Sequence, residues 1–255
     1  MVLIDVHAHY YFKDYYPDFS KLDFSDYGIL ILNGLDSKSN DSCLDLSGKK
    51  DNLTIKTAFG WHPLNVKNTE DVKEAEKELL RIEDNLDKIV AIGEIGLDYF
   101  HVKDKVIQKL QKEVFKMYLK AAEHFSLPII VHARNSVNDV LDILEDFKKE
   151  GVFTQQVILH CFEASTKNIQ RALGLGFYFT IPASIERQEL FQRLVKLVPT
   201  DSMLTEGDAP YQGPIKGQPM KPKDIKIALD YIAKTRGLVV QEVENIILNN
   251  YLKIF

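Results

Sequence analysis

The sequence predicts a single-domain α/β protein folded as a (β/α)8 TIM barrel, on three observations. Its 255 residues suit one barrel domain, expected to cover 1–255. Eight short, continuous apolar runs alternate with longer amphipathic stretches, the pattern of parallel strands covered by helices. Polar residues capable of chemistry recur where those runs end, and the C-terminal ends of the strands form the working face of such barrels.

The first strand is expected over 2–6, where Val2, Leu3 and Ile4 lead into "DVHAHYYF". A second is expected over 29–33 and a third over 54–60, the latter running into Gly60-Trp61-His62-Pro63. The stretch 72–86 carries Val72, Ala75, Leu79, Ile82 and Leu86 on one face with Lys and Glu on the other, which is helical spacing. "KIVAIGEIG" supplies the fourth strand, 88–93. Behind it, Ile107, Leu110, Val114, Tyr118 and Ala121 repeat at helical intervals. "LPIIVHAR" starts the fifth strand, 128–131, after a proline, and the last three are expected over 156–159, 177–180 and 202–205. The Gly-, Pro- and Lys-rich stretch 211–222 reads as a surface loop. Pro222 ahead of Ile225, Leu229 and Ile232 marks a helix start, and a final helix is expected over 239–249. An open doubly wound sheet is the alternative, but no Gly-x-Gly-x-x-Gly follows the first strand.

Composition narrows the function classes. The net charge of −5 is mild, which argues against a protein that coats DNA through a basic surface. Cys43 and Cys161 are the two cysteines and cannot make a disulfide framework. Strand-like sequence from Val2 leaves no room for a signal peptide, and no apolar run approaches the ~20 residues of a membrane span. A cytoplasmic setting without membrane contact is expected.

Seven polar residues fall at the expected C-terminal strand ends. His7 and His9 follow the first strand and, two apart, point to one face of an extended chain. His62 follows the third strand, Glu94 the fourth, His132 the fifth, His160 the sixth and Asp208 the eighth. Each alone has a plainer explanation: Glu94 could cap a helix, Asp208 could brace the turn before Pro210, and a lone histidine more often fills a hydrogen-bonding role. Their joint placement is harder to explain that way, since only His101 and His124 of the seven histidines lie outside the rim. Imidazoles and carboxylates together suit zinc, manganese or iron. Four histidines and two carboxylates exceed the needs of one tetrahedral ion. Two ions ~3.5–4 Å apart would use them all, with Glu94 as the natural bridge. No lysine ends the fourth or fifth strand, so a carbamylated-lysine bridge is not available.

These residues lie in a series of short motifs. They are Asp5-x-His7-x-His9, Gly60-Trp61-His62-Pro63, Gly93-Glu94-Ile95-Gly96-Leu97-Asp98-Tyr99, His132-Ala133-Arg134, His160-Cys161-Phe162 and Thr205-Glu206-Gly207-Asp208-Ala209-Pro210-Tyr211. In this order, nearly end to end, the sequence resembles the TatD-type metal-dependent deoxyribonucleases of the amidohydrolase superfamily. The resemblance implies one or two divalent metal ions (zinc, magnesium or manganese). It implies His7, His9, Glu94 and Asp208 around one ion and Glu94, His132 and His160 around the other, with His62 and Arg134 helping to hold phosphate. The implied activity is 3′-to-5′ exonucleolytic hydrolysis of DNA, and some members are associated with DNA repair or with D-aminoacyl-tRNA deacylation; apart from the resemblance, a monomer or small homo-oligomer is expected. The sequence departs from the usual family pattern at Tyr10-Tyr11, at Gly207 and in the loop Lys216 to Pro222, none of them a proposed ligand.

The chemistry expected is metal-assisted hydrolysis, with Asp208 orienting a water and accepting its proton and Glu94 shared between the ions. Arg134 could grip phosphate through a two-pronged hydrogen bond or serve in a surface salt bridge. Trp61, Tyr99 and Phe100 could stack on bases or simply pack. Cys161 reads as a small hydrophobe, and Lys216, Lys221, Lys223 and Lys226 as solvated or phosphate-facing cations. Three functions remain open: a DNA phosphodiesterase, an esterase or amidohydrolase acting on an aminoacyl ester or small molecule, and a non-catalytic metal-binding scaffold.

Overall fold

The computed structural model describes residues 2–255. Nine strands form one sheet: β1 (Leu3–Ala8), β2 (Tyr27–Asn33), β3 (Gly48–Lys50), β4 (Leu53–Phe59), β5 (Ile89–Asp98), β6 (Ile129–Arg134), β7 (Val157–Leu159), β8 (Tyr178–Pro182) and β9 (Met203–Glu206). All but β3 pair in parallel in chain order from β1 to β9. The seam between β9 and β1 is closed by hydrogen bonds. The Thr205 hydroxyl donates to the Ile4 carbonyl, the Asp208 N–H to His7 O at 2.7 Å and the His9 N–H to Ala209 O at 2.9 Å. The result is a TIM barrel, as the eight apolar runs predict.

Helices α1 (Ser37–Leu46), α2 (Thr69–Leu79), α3 (Lys105–His124), α4 (Val137–Lys149), α5 (Thr166–Gly174), α6 (Glu189–Leu197), α7 (Lys226–Arg236) and α8 (Val240–Ile254) complete the alternation. The strands are unbroken apolar runs because both faces are covered: β1 and β9 are buried at every residue. Helix starts carry side-chain caps that take up otherwise free N–H groups, such as Asp36 on Ser39 N, Asn68 on Glu70 N and Ser165 on Asn168 N. Pro222 opens a short 3₁₀ turn that leads into α7. Among the described residues no helix is long and apolar enough to cross a membrane.

Three expectations are corrected. The helix expected over 72–86 ends at Leu79, and Leu86 is exposed. There the Asn85 side-chain amide donates to the Arg81 carbonyl at 2.9 Å, occupying an acceptor that a continuing helix would use. β3, a short exposed strand antiparallel to β4, has no apolar signal and was not expected. The fourth barrel strand, expected to end at 93, continues to Asp98. Its pairing with β6 is irregular between Ile92 and Ile95, and Gly93, Glu94 and Gly96 interrupt the apolar run there. The loop 211–222 is mostly exposed as expected, and is pinned by fully buried Met220, whose carbonyl accepts the Tyr16 hydroxyl at 2.6 Å.

Gly96 is where that irregularity demands glycine. Its φ is +138°, and a Cβ there would lie 2.0 Å from the His132 carbonyl oxygen. Gly96→Ala is therefore expected to destabilise the barrel by about 1–3 kcal/mol or more, as overpacking and backbone strain add. Urea unfolding of the variant checks this.

Candidate metal centre

The barrel gathers the residues singled out at its strand ends onto one carboxylate. Glu94, within β5, is buried, and each of its oxygens faces a separate set of imidazoles. His132 Nδ1 and His160 Nε2 lie 3.0 Å from Oε1, and His62 Nε2 lies 3.2 Å from it. His7 Nε2 and His9 Nε2 lie 3.3 and 3.4 Å from Oε2. Asp208 Oδ1 closes that second group, 3.6 Å from His7 Nε2 and 3.7 Å from His9 Nε2. His7, His9, Glu94, His132, His160 and Asp208 thus converge, as does His62, which stands inside the cluster and not at its edge. His7, His9 and Glu94 have donor atoms close enough together to share an ion.

Outer partners orient the imidazoles. A carboxylate or carbonyl oxygen accepts, so the facing ring nitrogen carries the proton. His132 Nε2–H donates to Asp98 at 3.1 Å, His160 Nδ1–H to Glu206 at 3.3 Å and His9 Nδ1–H to the Asn33 carbonyl at 2.8 Å. The other nitrogen of each of these three rings faces Glu94, as an N–H donor while the ring is doubly protonated and as a lone pair where a cation takes that proton's place. Such carboxylate–histidine pairs are the outer-shell arrangement of metal-binding histidines. Among the described residues neither ring nitrogen of buried His7 makes a hydrogen bond, Nε2 facing Glu94 at 3.3 Å. His62 is the exception: its Nδ1 accepts the Leu64 N–H at 3.2 Å, so Nε2 carries the proton and donates to Glu94.

The charge balance has the same sense. Burial alone would raise the Glu94 carboxyl, but His62, His160 and His7 outweigh it and hold it well below the usual carboxylate range. Burial also disfavours charge on His132 and His160. Hydrogen bonds to Asp98 and Glu94 raise the first nonetheless, and Glu94 and Glu206 raise the second. Burial and His160 push His7 down to about 3, more than the opposing pull of Glu94 offsets. Burial pushes the Asp208 carboxyl up to about 7, against the pull of His160 and His9. The centre is therefore a buried, acid-rich pocket that draws in positive charge. Its donor set and its partnerless His7 nitrogen fit divalent cations.

Asp98 and Glu206 were not singled out by sequence reasoning, although both sit in the quoted motifs. Even spacing was the available signal: Asp98 lies four residues after Glu94, and Glu206 two before Asp208. Asp98 also accepts from His101, at 2.8 Å from its backbone N–H and 2.9 Å from Nδ1, so His101 belongs to the outer ring of the centre. His124 is exposed at the end of α3.

Arg134 is exposed at the end of β6, its guanidinium 4.3 Å from the Phe100 ring centroid. With His132, His160 and Asp208 it borders an open cleft of about 250 Å³ that also carries Glu163. Among the described residues Arg134 makes no ion pair, which removes its surface salt-bridge role. Trp61 is buried and donates to the Asn65 carbonyl, so it packs, and Tyr99 donates to Asp139; only Phe100 of those three rings is exposed. Cys161 is half-buried, its thiol donating to Asp208 at 3.5 Å, and burial pushes its pKa well up. Lys223 and Lys226 pair with Asp23 and Asp26, whereas Lys216 and Lys221 are exposed.

Comparison with known proteins follows this geometry. Residues 4–255 match the family model described as TatD related DNase. The chain is 30% identical over 263 residues to the "Uncharacterized metal-dependent hydrolase YabD" of Bacillus subtilis, covering 100% of this chain and 99% of that protein. It is 28% identical over 264 residues to the human "Deoxyribonuclease TATDN3", covering 99% and 94%. The crystal structure of YJJV, a TatD homolog from Escherichia coli, superposes with a TM-score of 0.82 at 24% identity, over 99% of this chain and 97% of that one. That likeness bears on the fold alone.

Proposed function

The chain belongs to the TatD related DNase family and is a metal-dependent hydrolase; from that premise we propose that it cleaves DNA phosphodiester bonds as a 3′-to-5′ exonuclease. The supporting observation is the ring arrangement around Glu94: imidazoles held from outside by Asp98, Glu206 and the Asn33 carbonyl, with their other nitrogens converging on one buried carboxylate. His132, His160 and Glu94 would hold one divalent ion, and His7, His9, Glu94 and Asp208 a second. Nitrogen-rich donors favour zinc or manganese over magnesium. When bound, such ions polarise a phosphoryl oxygen and bring the pKa of water from 15.7 towards ~7.

The remaining steps belong to the chain's own groups. Asp208, on the wall of the open cleft, orients the attacking water and accepts its proton. Arg134, its plane held against Phe100, takes two phosphate oxygens through parallel N–H groups. His62 Nε2–H, which donates to Glu94 in this structure, would turn to a phosphate oxygen once the ions take up that carboxylate. Asp98, Glu206 and the Asn33 carbonyl hold His132, His160 and His9 with their other nitrogens turned inward.

Asp98→Asn would set an amide N–H against His132 Nε2–H and favour the other tautomer. Metal affinity is expected to fall about 10–100-fold with the fold intact. Chelator competition, with circular dichroism as the fold control, reads both.

The reading is tested with metal-reconstituted protein on end-labelled single-stranded DNA, an abasic duplex and a panel of simple esters. A ladder of single-nucleotide losses from the 3′ end is expected. Turnover of esters with no DNA cleavage would replace it with the esterase reading.

A further inference from the structure

We infer that a track of exposed aromatic rings and unpaired lysines, leading away from the His9 side of the centre, binds the polynucleotide strand beyond the bond being cut. The inference rests on the nuclease reading above and gives the rest of the substrate a place. The track begins at His9 itself, on whose imidazole the Phe12 ring is stacked at 5.5 Å between centroids and 15° between planes. Tyr211 meets Phe12 edge to face at 6.3 Å. Phe12, Tyr15 and Tyr211 line a groove of about 510 Å³ beside the N-terminal end of α1. Tyr15 also lines the next groove, about 640 Å³, between the chain around Leu22 and the segment Gln218 to Asp224. The two grooves therefore join at one ring.

Tyr15 and Tyr211 are 50% and 58% exposed, so these rings are not core residues that merely reach the surface. Lys13 and Lys38 border the first groove and Lys221 the second, and none of them pairs with a carboxylate among the described residues. Neighbouring acids are mostly engaged: Asp36 accepts the Ser39 N–H at 2.9 Å, Asp23 pairs with Lys223 at 2.7 Å and Asp224 accepts the Lys221 N–H at 2.8 Å. Among the described residues lining the two grooves, Asp14 is the one acid with no hydrogen bond or ion pair. Ring faces interspersed with cations suit an unpaired strand, whose bases offer π-faces and whose backbone offers phosphates. A duplex keeps its bases stacked on each other and leaves the rings uncovered. On the other side of the centre, the loop from Asp208 to Gln212 separates this track from the cleft of Arg134 and Phe100. The terminal nucleotide would occupy that cleft and the remaining strand the track.

The test uses fluorescein-labelled oligothymidylates with hydrolysis-resistant phosphorothioate linkages, about two to about ten nucleotides long. They are titrated into metal-loaded protein and read by anisotropy. Affinity is expected to rise with length and then level off. Tyr15→Ala should weaken the longest oligomer about tenfold, the loss of one stacked base, and the dinucleotide less. Tyr15→Phe should keep wild-type affinity. A flat length series, or full affinity in Tyr15→Ala, overturns the track. So does light scattering that shows the rings buried in a dimer which Tyr15→Ala dissolves. Cleavage of unmodified oligomers is followed in parallel. If they bind with length dependence and are never cut, the nuclease reading fails and the track stands.

Discussion

Glu94→Gln is expected to leave a folded barrel that has lost at least one metal ion and turns over about 10⁴-fold or more slowly, the scale of removing one member of a catalytic unit. Both Glu94 oxygens face imidazole nitrogens, at 3.0 to 3.4 Å. The substitution removes the one negative charge between the two groups of donors. Two divalent cations ~3.5–4 Å apart repel strongly in a buried site without it. The amide also turns a neutral oxygen to one side and an N–H to the other. Shape is conserved, so the core beneath is undisturbed. Metal analysis of the purified variant, beside its circular dichroism spectrum, gives the answer. Two ions per chain with near-normal turnover would mean that Glu94 is not a bridge.

Asp208→Asn should behave differently. The ion held by Glu94, His132 and His160 is expected to remain, because Asp208 Oδ1 lies with His7 and His9 on the other side of Glu94. Turnover should fall ~10²–10⁴-fold, the usual worth of a positioned proton acceptor. The backbone tolerates the change: Asp208 has φ 44°, a left-handed conformation that asparagine adopts more readily than most residues. A variant that lost all metal, or kept full activity, would remove the proton-transfer role.

How much of this was legible depended on what each feature is made of. The eight barrel strands were legible because burial on both faces makes them unbroken apolar runs. The end of β5 was not, because Gly93, Glu94 and Gly96 serve a backbone irregularity and a polar centre where periodicity has nothing to report. β3 was illegible because an exposed three-residue strand carries no burial pattern. At the centre, His7 and His9 were legible from their even spacing, and the other residues from their place at strand ends. Asp98 and Glu206 were passed over because a carboxylate two or four residues from another looks like ordinary charge until its partner imidazole comes from a different strand. The protonation of His62 depends on a turn that brings the Leu64 N–H to Nδ1, which no spacing rule encodes. Trp61 shows the reverse: a ring beside a functional histidine need not face the same cleft.

Anomalous diffraction from crystals soaked in manganese, collected at the manganese edge, tests the bridged two-ion centre most directly. Two peaks are expected, ~3.5–4 Å apart and on either side of Glu94. One should lie among His7, His9 and Asp208 and the other against His132 and His160. A strong peak elsewhere on the protein, with none inside this cluster, would contradict the centre.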